Sequence, residues 1–469
     1  MVPRRSCCGT VIQVGTTRQG SGALPSGRID LAEQTGIAAS VHPSAYARNP
    51  LQRFLVATEL DTRLLGMVGA LAIIWIGFHI FSGGLFLTPR NLWNLSVQTS
   101  SVAVMVTGMV LVIVTRNIDL SVGSILGLVA MVMGVMQTDI LPNQLGLGLG
   151  HPMIWVLSLA VGLLTGVAIG ALQGSIIAYL RVPAFIVTLG GYLVWRGAAW
   201  WVTMGRTVAP MDPTFQLMGG GPTGSVGALW SWVVGLIACA AILVMLYVGR
   251  RQRLRFNFPL RPLWAEAALA LIGCVLVIGA VWVANAYPWP VRIAANYAEA
   301  NGLPVPEGGL FIAHGIAIPV LIALGVGVVM TFISTRTRFG RYVFAMGGNP
   351  EAAELAGINT RWVTVKIFML MGALCAIAAA ISSARLNAAT NAMGTLDELY
   401  VIAAAVIGGT SLAGGVGTIA GALLGALVMQ SLQSGMVLMG LDSPLQSIVV
   451  GIVLVFAVWL DTLYRRNKH

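Results

Sequence analysis

Residues able to do covalent chemistry are few in this 469-residue chain, and none stand at a spacing that organises it. The two lysines are Lys366 and Lys468, and neither follows the glycine of a G-x-x-x-x-G-K-[ST] loop, so the chain carries no Walker-type ATP site. The histidines, His42, His79, His151, His314 and His469, lack metal-ligand spacing, and no Gly-x-Ser-x-Gly elbow occurs. Cys7 and Cys8 lie in a polar stretch, while Cys239, Cys274 and Cys375 fall inside apolar runs and read as small core residues without a disulfide. No catalytic residue, resident cofactor or metal is expected, and the chain alone is not read as an enzyme.

The polar side chains that remain suit binding or coupling. Asp119 begins an apolar run and either caps it, with Ser121 nearby, or serves a pathway. Asn387, Asn391, Gln430 and Gln433 can touch hydroxyl groups of a small polar cargo or bond neighbouring helices. Trp195, Trp200 and Trp201 can stack on such a cargo or anchor a membrane edge. The most distinct stretch is Gly347 to Gly357, a soluble-looking helix in an apolar chain. Asn349 can cap it, Pro350 suits its first position, Glu351 complements the dipole, and Gly357 can end it left-handed. Such a helix has about two turns, below the roughly 12 residues that hold alone in water. It therefore leans on a surface, its own protein or a partner.

The elements that carry these residues follow from composition. With 57% hydrophobic and 9% charged residues, the chain is an all-α polytopic membrane protein. The net charge of +11 sits in short clusters between apolar runs, which points to membrane orientation and not to nucleic acid; membrane lipid is expected around the spans. Residues 1–63 form a polar, disordered tail without the apolar core of a signal peptide. Spans are expected at Leu64 to Leu87, Leu95 to Val114, Leu120 to Met136, Met153 to Tyr179, Ala184 to Met204, Leu229 to Val248, Trp264 to Ala284, Gly315 to Ser334, Val363 to Ser383, Gly417 to Val437 and Gln446 to Leu460. A short, Gly-interrupted run, Leu399 to Leu412, makes the count 12 if it crosses and 10 or 11 if a run is re-entrant. The membrane part thus covers 64–462, with a polar loop at 335–362 and a basic tail at 463–469.

An inside N-terminus places 22 of the 27 basic residues on the cytoplasmic side, so both termini and the Gly347 to Gly357 helix are expected there. The outer loops, Gly205 to Ala228 and Asn285 to His314, are rich in Gly and Pro. Gly162, Gly166, Gly170 and Gly174 form one stripe and Gly417, Gly421 and Gly425 another, each containing Gly-x-x-x-Gly-Ala-Leu. Plain helix packing and duplicated halves both explain this echo.

A resemblance emerges from the motifs. Arg338-Phe-Gly-Arg-Tyr-Val-Phe-Ala-Met-Gly-Gly-Asn-Pro-Glu-Ala-Ala-Glu-Leu-Ala-Gly-Ile358 resembles the cytoplasmic signature of the bacterial sugar ABC importer permeases. The broader importer pattern fits through Glu351, Ala352, Ala353, Gly357 and Ile367, although Met369 and Leu370 replace the usual Leu-Pro. Asn117-Ile-Asp-Leu-Ser-Val-Gly-Ser124, Val182-Pro-Ala-Phe-Ile-Val-Thr-Leu-Gly190 and Val406-Ile-Gly-Gly-Thr-Ser-Leu-Ala-Gly-Gly-Val-Gly417 resemble the same ribose/xylose/arabinose-type family. The Arg-rich stretch with an added helix pair at Arg250 to Ala284, and Trp459-Leu-Asp461, fit its xylose branch.

The resemblance implies a permease of the bacterial inner membrane that moves a monosaccharide, xylose favoured. It implies a separate ABC ATPase using ATP and Mg, a periplasmic sugar-binding protein and a second permease copy. Gly347, Gly348, Asn349, Glu351, Ala352, Ala353, Glu354, Leu355 and Gly357 would form the ATPase-coupling element. Asp119, Trp195, Asn387, Asn391, Gln430 and Gln433 remain possible pathway residues. An ion-coupled secondary transporter or channel is the alternative. It wants paired intramembrane carboxylates, and Asp119 reads as the lone acid within the spans.

Overall fold

The structure is a computed structural model that describes residues 54, 57–59, 62–302, 304 and 309–466. Nearly all of the expected polar tail and the last three residues lie outside them. The chain divides into two units, Met1–Val56, of which only Phe54 is described, and Ala57–His469, which holds the helical bundle.

The elements are helical throughout, joined by a few isolated bridges. In chain order they are α1 (Thr62–Phe81), α2 (Pro89–Val114), α3 (Val122–Val135), α4 (Met153–Tyr179), α5 (Ala184–Thr203), α6 (Gly227–Arg255), α7 (Leu263–Asn285), α8 (Val291–Ala300) and α9 (Ile318–Arg336). Then come α10 (Arg338–Gly348), α11 (Pro350–Leu355), α12 (Thr360–Leu386), α13 (Asp397–Ile407), α14 (Ile419–Leu438) and α15 (Ser443–Arg466). Nine helices among the described residues are long and apolar enough to cross a membrane; α5 adds a less apolar one and α15 a shorter apolar stretch, Ser443–Trp459.

Several boundaries differ from the expected ones for local reasons. α2 starts at Pro89 and not at Leu95, because Thr88 caps it and Pro89 fits its first turn despite the polar Arg90, Asn91 and Asn94. α3 runs on through a π-turn at Met136–Ile140 and a last turn at Leu141–Leu145, ended by left-handed Gly146. α6 continues to Arg255, beyond Val248, since arginines are good helix formers that reach outward.

The short run at Leu399 to Leu412 does not cross as a helix. α13 has 11 residues, a length of about 17 Å against a hydrocarbon core of about 30 Å. The non-helical stretch 387–396 precedes it and runs antiparallel along α3. Ala389 lies against Gly134, the Met393 carbonyl against Gly127, and Gly394 against Gly123. Stretch and half-helix together return the chain to the end where α12 began. Irregular backbone at membrane depth is tolerated where protein encloses it, and here α3, α5 and the 204–212 loop do so.

α2 is the axis of the bundle. It is apolar on every side and buried from Thr99 to Val114, as a helix surrounded by others must be. α4 and α12 pack backbone to backbone: a Cβ on Gly166 would meet the Gly372 carbonyl, one on Gly170 the Phe368 carbonyl, and one on Gly174 the Val365 Cα. The second stripe works the same way, with Gly421 against the Gly408 carbonyl and Gly425 against that of Ala404, so α14 seats on α13. Both stripes are packing faces.

α6 and α7 form a hairpin at the periphery, packed on each other through Gly235 against Val281 and Gly273 against Ile242. Its connecting loop is tied by ion pairs, Arg250 to Glu266 at 2.9 Å, Arg253 to Glu59 at 2.6 Å and Arg261 to Glu59 at 2.9 Å. Hydrogen bonds from Arg253 bring the Glu59 carboxyl down to about 2. Cys239, Cys274 and Cys375 are free thiols. At the opposite end the hairpin is fastened by aromatic packing. The Tyr287 and His314 rings stack with centroids 4.4 Å apart, Trp93 lies 4.8 Å from His314, and Trp93 Nε1 donates to the Gly315 carbonyl at 2.8 Å.

Two outcomes are expected. Gly170→Val forces a Cβ into the Phe368 backbone and lowers stability by at least about 2 kcal/mol, whereas Gly190→Val has open space. Thermal unfolding in detergent compares them, and equal midpoints would contradict the α4–α12 contact. Burial holds the His314 imidazole below its ordinary value of 6.5. The folded state therefore takes up this proton less readily than the unfolded one. Its contribution is complete above the ordinary value and declines as pH falls through the depressed one. Protection factors of the amides in 285–302 and 309–317, corrected for the intrinsic exchange rate at each pH, should be lower at pH about 5 than at about 7.5; unchanged protection would count against that packing.

Candidate functional site

Two connected features concentrate the polar groups of the bundle: the α10–α11 loop at one end, and the broken crossing inside. In the loop, Thr337 Oγ1 accepts from Gly340 N at 3.2 Å and starts α10. Asn349 Oδ1 accepts from Ala352 N at 3.1 Å, Pro350 occupies the first position of α11, and Gly357 turns left-handed at φ 81°. Asn359 Oδ1 then accepts from Trp362 N at 3.0 Å to begin α12. Thr360 Oγ1 donates to Glu354 Oε1 at 2.8 Å, tying α11 to α12. The short helix is thus capped at both ends by the residue types its sequence suggested.

α11 leans on its own protein with one face only. Ala353 is 5% exposed, while Leu355 is 90% exposed. Glu351, Ala352, Glu354 and Gly357 are also exposed. Beside it lies a groove of about 410 Å³ lined with Asn117, Arg181, Glu354, Thr360 and Arg361 among others.

The loop is bound to the bundle axis by Arg116, which in sequence reads only as a topogenic charge in a short turn. Arg116, left-handed at φ 63°, follows α2 and donates from Nε to the Gly347 carbonyl at 3.1 Å and from Nη2 to the Gly348 carbonyl at 2.8 Å. These carbonyls close α10 and would otherwise lack intrahelical partners. The pair has no signature in sequence. Gly347 must be glycine here, since a Cβ would meet the Val114 carbonyl. That same carbonyl accepts from Gly415 N at 2.9 Å. Three chain segments, the ends of α2 and α10 and the loop after α13, meet at one point.

The expected pathway residues do not form one site. Asp119 Oδ1 accepts from Ser121 N at 2.9 Å and from Ser121 Oγ at 2.6 Å, and Gln173 Nε2 donates to Ser121 Oγ at 3.0 Å. Asp119 therefore braces the turn into α3. Asn387 Oδ1 accepts from Met211 N at 2.9 Å, fixing the end of α12 to the 204–212 loop. Gln430 Nε2 donates to Gln433 Oε1 at 2.9 Å and approaches Gln98 Oε1 at 3.4 Å, an α14–α2 contact away from the others.

Asn391 is held by Arg196, the residue after Trp195, while the Trp195 indole nitrogen lies beside Gly191 next to Gln173. Arg196 Nη1 donates to the Asn391 carbonyl at 2.9 Å and the Met393 carbonyl at 2.8 Å, satisfying backbone of the broken crossing. Trp195 Nε1, Arg196 Nη2, Asn391 Oδ1 and Glu398 Oε2 are buried without a hydrogen-bond partner among the described residues. Unpaired buried polar atoms of both donor and acceptor type suit water or a hydroxyl-rich cargo. Glu398, 5% exposed, corrects the expectation that Asp119 is the lone acid within the spans. In sequence Asp397 and Glu398 look like the polar edge of a run, whereas the half-helix starts deep in the bundle. Arg196 carries a visible signal: an arginine in the middle of an apolar span is rarely without a role.

Replacing Arg116 with Ala removes two charge-assisted bonds, each about 1.5–3 kcal/mol. Amide exchange across 347–357 is expected to rise at least tenfold while the α4–α12 contact keeps its protection. Unchanged exchange would show that the loop is held by other contacts.

Comparison with known proteins agrees with this architecture. Residues 91–458 match the family described as branched-chain amino acid transport system / permease component. The chain is 36% identical over 415 residues to the xylose transport system permease protein of Escherichia coli (strain K12), covering 87% of this chain and 94% of that relative. It is 35% identical over 401 residues to the xylose transport system permease protein of Haemophilus influenzae, covering 86% and 96%. It is 32% identical over 376 residues to the ribose import permease protein of Escherichia coli (strain K12), covering 80% and 87%. No solved structure matches with significance.

Proposed function

The chain belongs to the branched-chain amino acid transport system / permease component family, and on that premise we propose that it is the membrane subunit of an ATP-driven importer of a monosaccharide, xylose in first place. The xylose assignment is supported by the relatives of that name that span nearly the whole chain. Ribose is the next sugar to try.

The observation that carries the mechanism is Leu355, 90% exposed on a helix whose two ends are capped and whose base is clamped to α2. An isolated leucine so presented has apolar surface to bury on a partner. In this reading both termini and α11 face the cytoplasm, as the basic residues suggest. A separate ATPase, using ATP and Mg, grips α11 through Leu355, Ala352 and the carboxylates of Glu351 and Glu354. Its closure moves the loop as a unit, and Arg116 passes that movement to α2 and to the loop following α13. The broken crossing, continuous with α13, is thereby reached from the ATPase side. A substrate-binding protein delivers the sugar to the opposite-end loops, and a second copy of the chain completes the path.

Leu355→Asp and Ala352→Arg alter exposed positions. Each is expected to abolish xylose uptake and ATPase capture, with membrane levels of the permease unchanged. Reconstitution with the ATPase and binding protein, assayed with labelled xylose and ribose, is the measurement. Normal uptake by both variants would overturn the coupling role, and ribose preference would overturn the choice of sugar.

A further inference from the structure

We propose that the last two turns of α6 form a binding site for the phosphodiester headgroup of an anionic membrane lipid, with Arg251 and Arg255 as its cationic contacts. The stretch Arg250 to Arg261 holds five arginines where the α6–α7 hairpin leaves the apolar layer. Three are committed: Arg250 to Glu266, and Arg253 and Arg261 to Glu59. These pairs fix the loop. They leave Arg251 and Arg255 exposed, with no carboxylate partner among the described residues. The guanidinium of Arg255 lies 5.9 Å from the Phe256 ring centroid, which restrains it without neutralising it.

Position selects a lipid over a soluble anion. Tyr247, Arg251 and Arg255 follow one another at intervals of four on one helix face, bringing the two guanidinium groups within reach of one phosphate. They line a groove of about 770 Å³ whose other walls are Val248, Gln252 and Leu254. Its upper end is apolar and continues onto exposed Val244 of the spanning segment, while its lower end is cationic. That polarity matches a molecule with acyl chains on one side and a phosphate on the other. Phe256 and Phe258, 65% and 63% exposed, flank the arginines as interfacial side chains do. The hairpin packs chiefly on itself, so its outer face has the bilayer as neighbour.

The test uses the full chain in neutral detergent with phosphatidylglycerol and phosphatidylcholine of equal acyl length, read by native mass spectrometry. The wild type should retain phosphatidylglycerol preferentially. R251Q/R255Q should lower that retention on the order of 30-fold, with R251K/R255K retaining most of it. R336Q/R338Q, at the same end of the bundle, should leave it unchanged. Four outcomes overturn the site: equal retention of both lipids, retention unaffected by R251Q/R255Q, equal loss in R336Q/R338Q, or displacement of the lipid by inorganic phosphate. The first three leave the arginines as topogenic charges, and the last makes the groove a free-anion site. None depends on which sugar is carried.

Discussion

Everything in this bundle is referred to the contact between α4 and α12, where glycine meets glycine. In lipid, two helices gain nothing by hiding apolar side chains from hydrocarbon, so association depends on how closely backbones approach. Gly166, Gly170 and Gly174 remove the side chains that would hold the axes apart, and Gly372 does so from the other side. The contact fixes the start of α12 next to α11 and its end next to the broken crossing. It also sets the wall against which α2 and α3 are enclosed. The same device on α14 holds the half-helix α13, too short to be stable in a bilayer by itself.

Enclosure then makes the irregular stretch 387–396 possible. Its backbone groups are met by Val208, by Arg196 and by local turns such as Met393 N to the Thr390 carbonyl, while α3 lies against it. Arg196 does in the interior what a cap does at a helix end: it brings donors to carbonyls that secondary structure leaves unserved. The polar atoms left over around it are concentrated where the chain is least regular. Transporters place their cargo sites at such discontinuities, because only there are backbone and side-chain polar groups free of helical bonding.

Helical content, span order and the caps of α11 were legible, since each rests on local rules: apolar length, Asn349 before Pro350, Gly357 at a left-handed position. The length of α13 was readable as a short run, but its depth was not, because depth depends on which helices enclose it. For the same reason Glu398 looked peripheral. Asp119 and Asn387 stand out in sequence by residue type, and their partners, Ser121 and the Met211 amide, turn both into braces. Arg116 was visible only as a charge. Its role requires two carbonyls more than 230 positions away, a relation that no periodicity encodes.

The burial of α2 has a mechanical consequence. A helix of 26 residues is about 39 Å long, and this one is gripped along most of that length by close-packed neighbours. It can neither bend locally nor slide alone. A displacement of about 2 Å at its Arg116 end, pivoting about the other, tilts a rod of that length by only about 3°. The helix is therefore an arm of fixed length, with Arg116 and the α10 carbonyls at one end and Trp93 and the aromatic stack at the other.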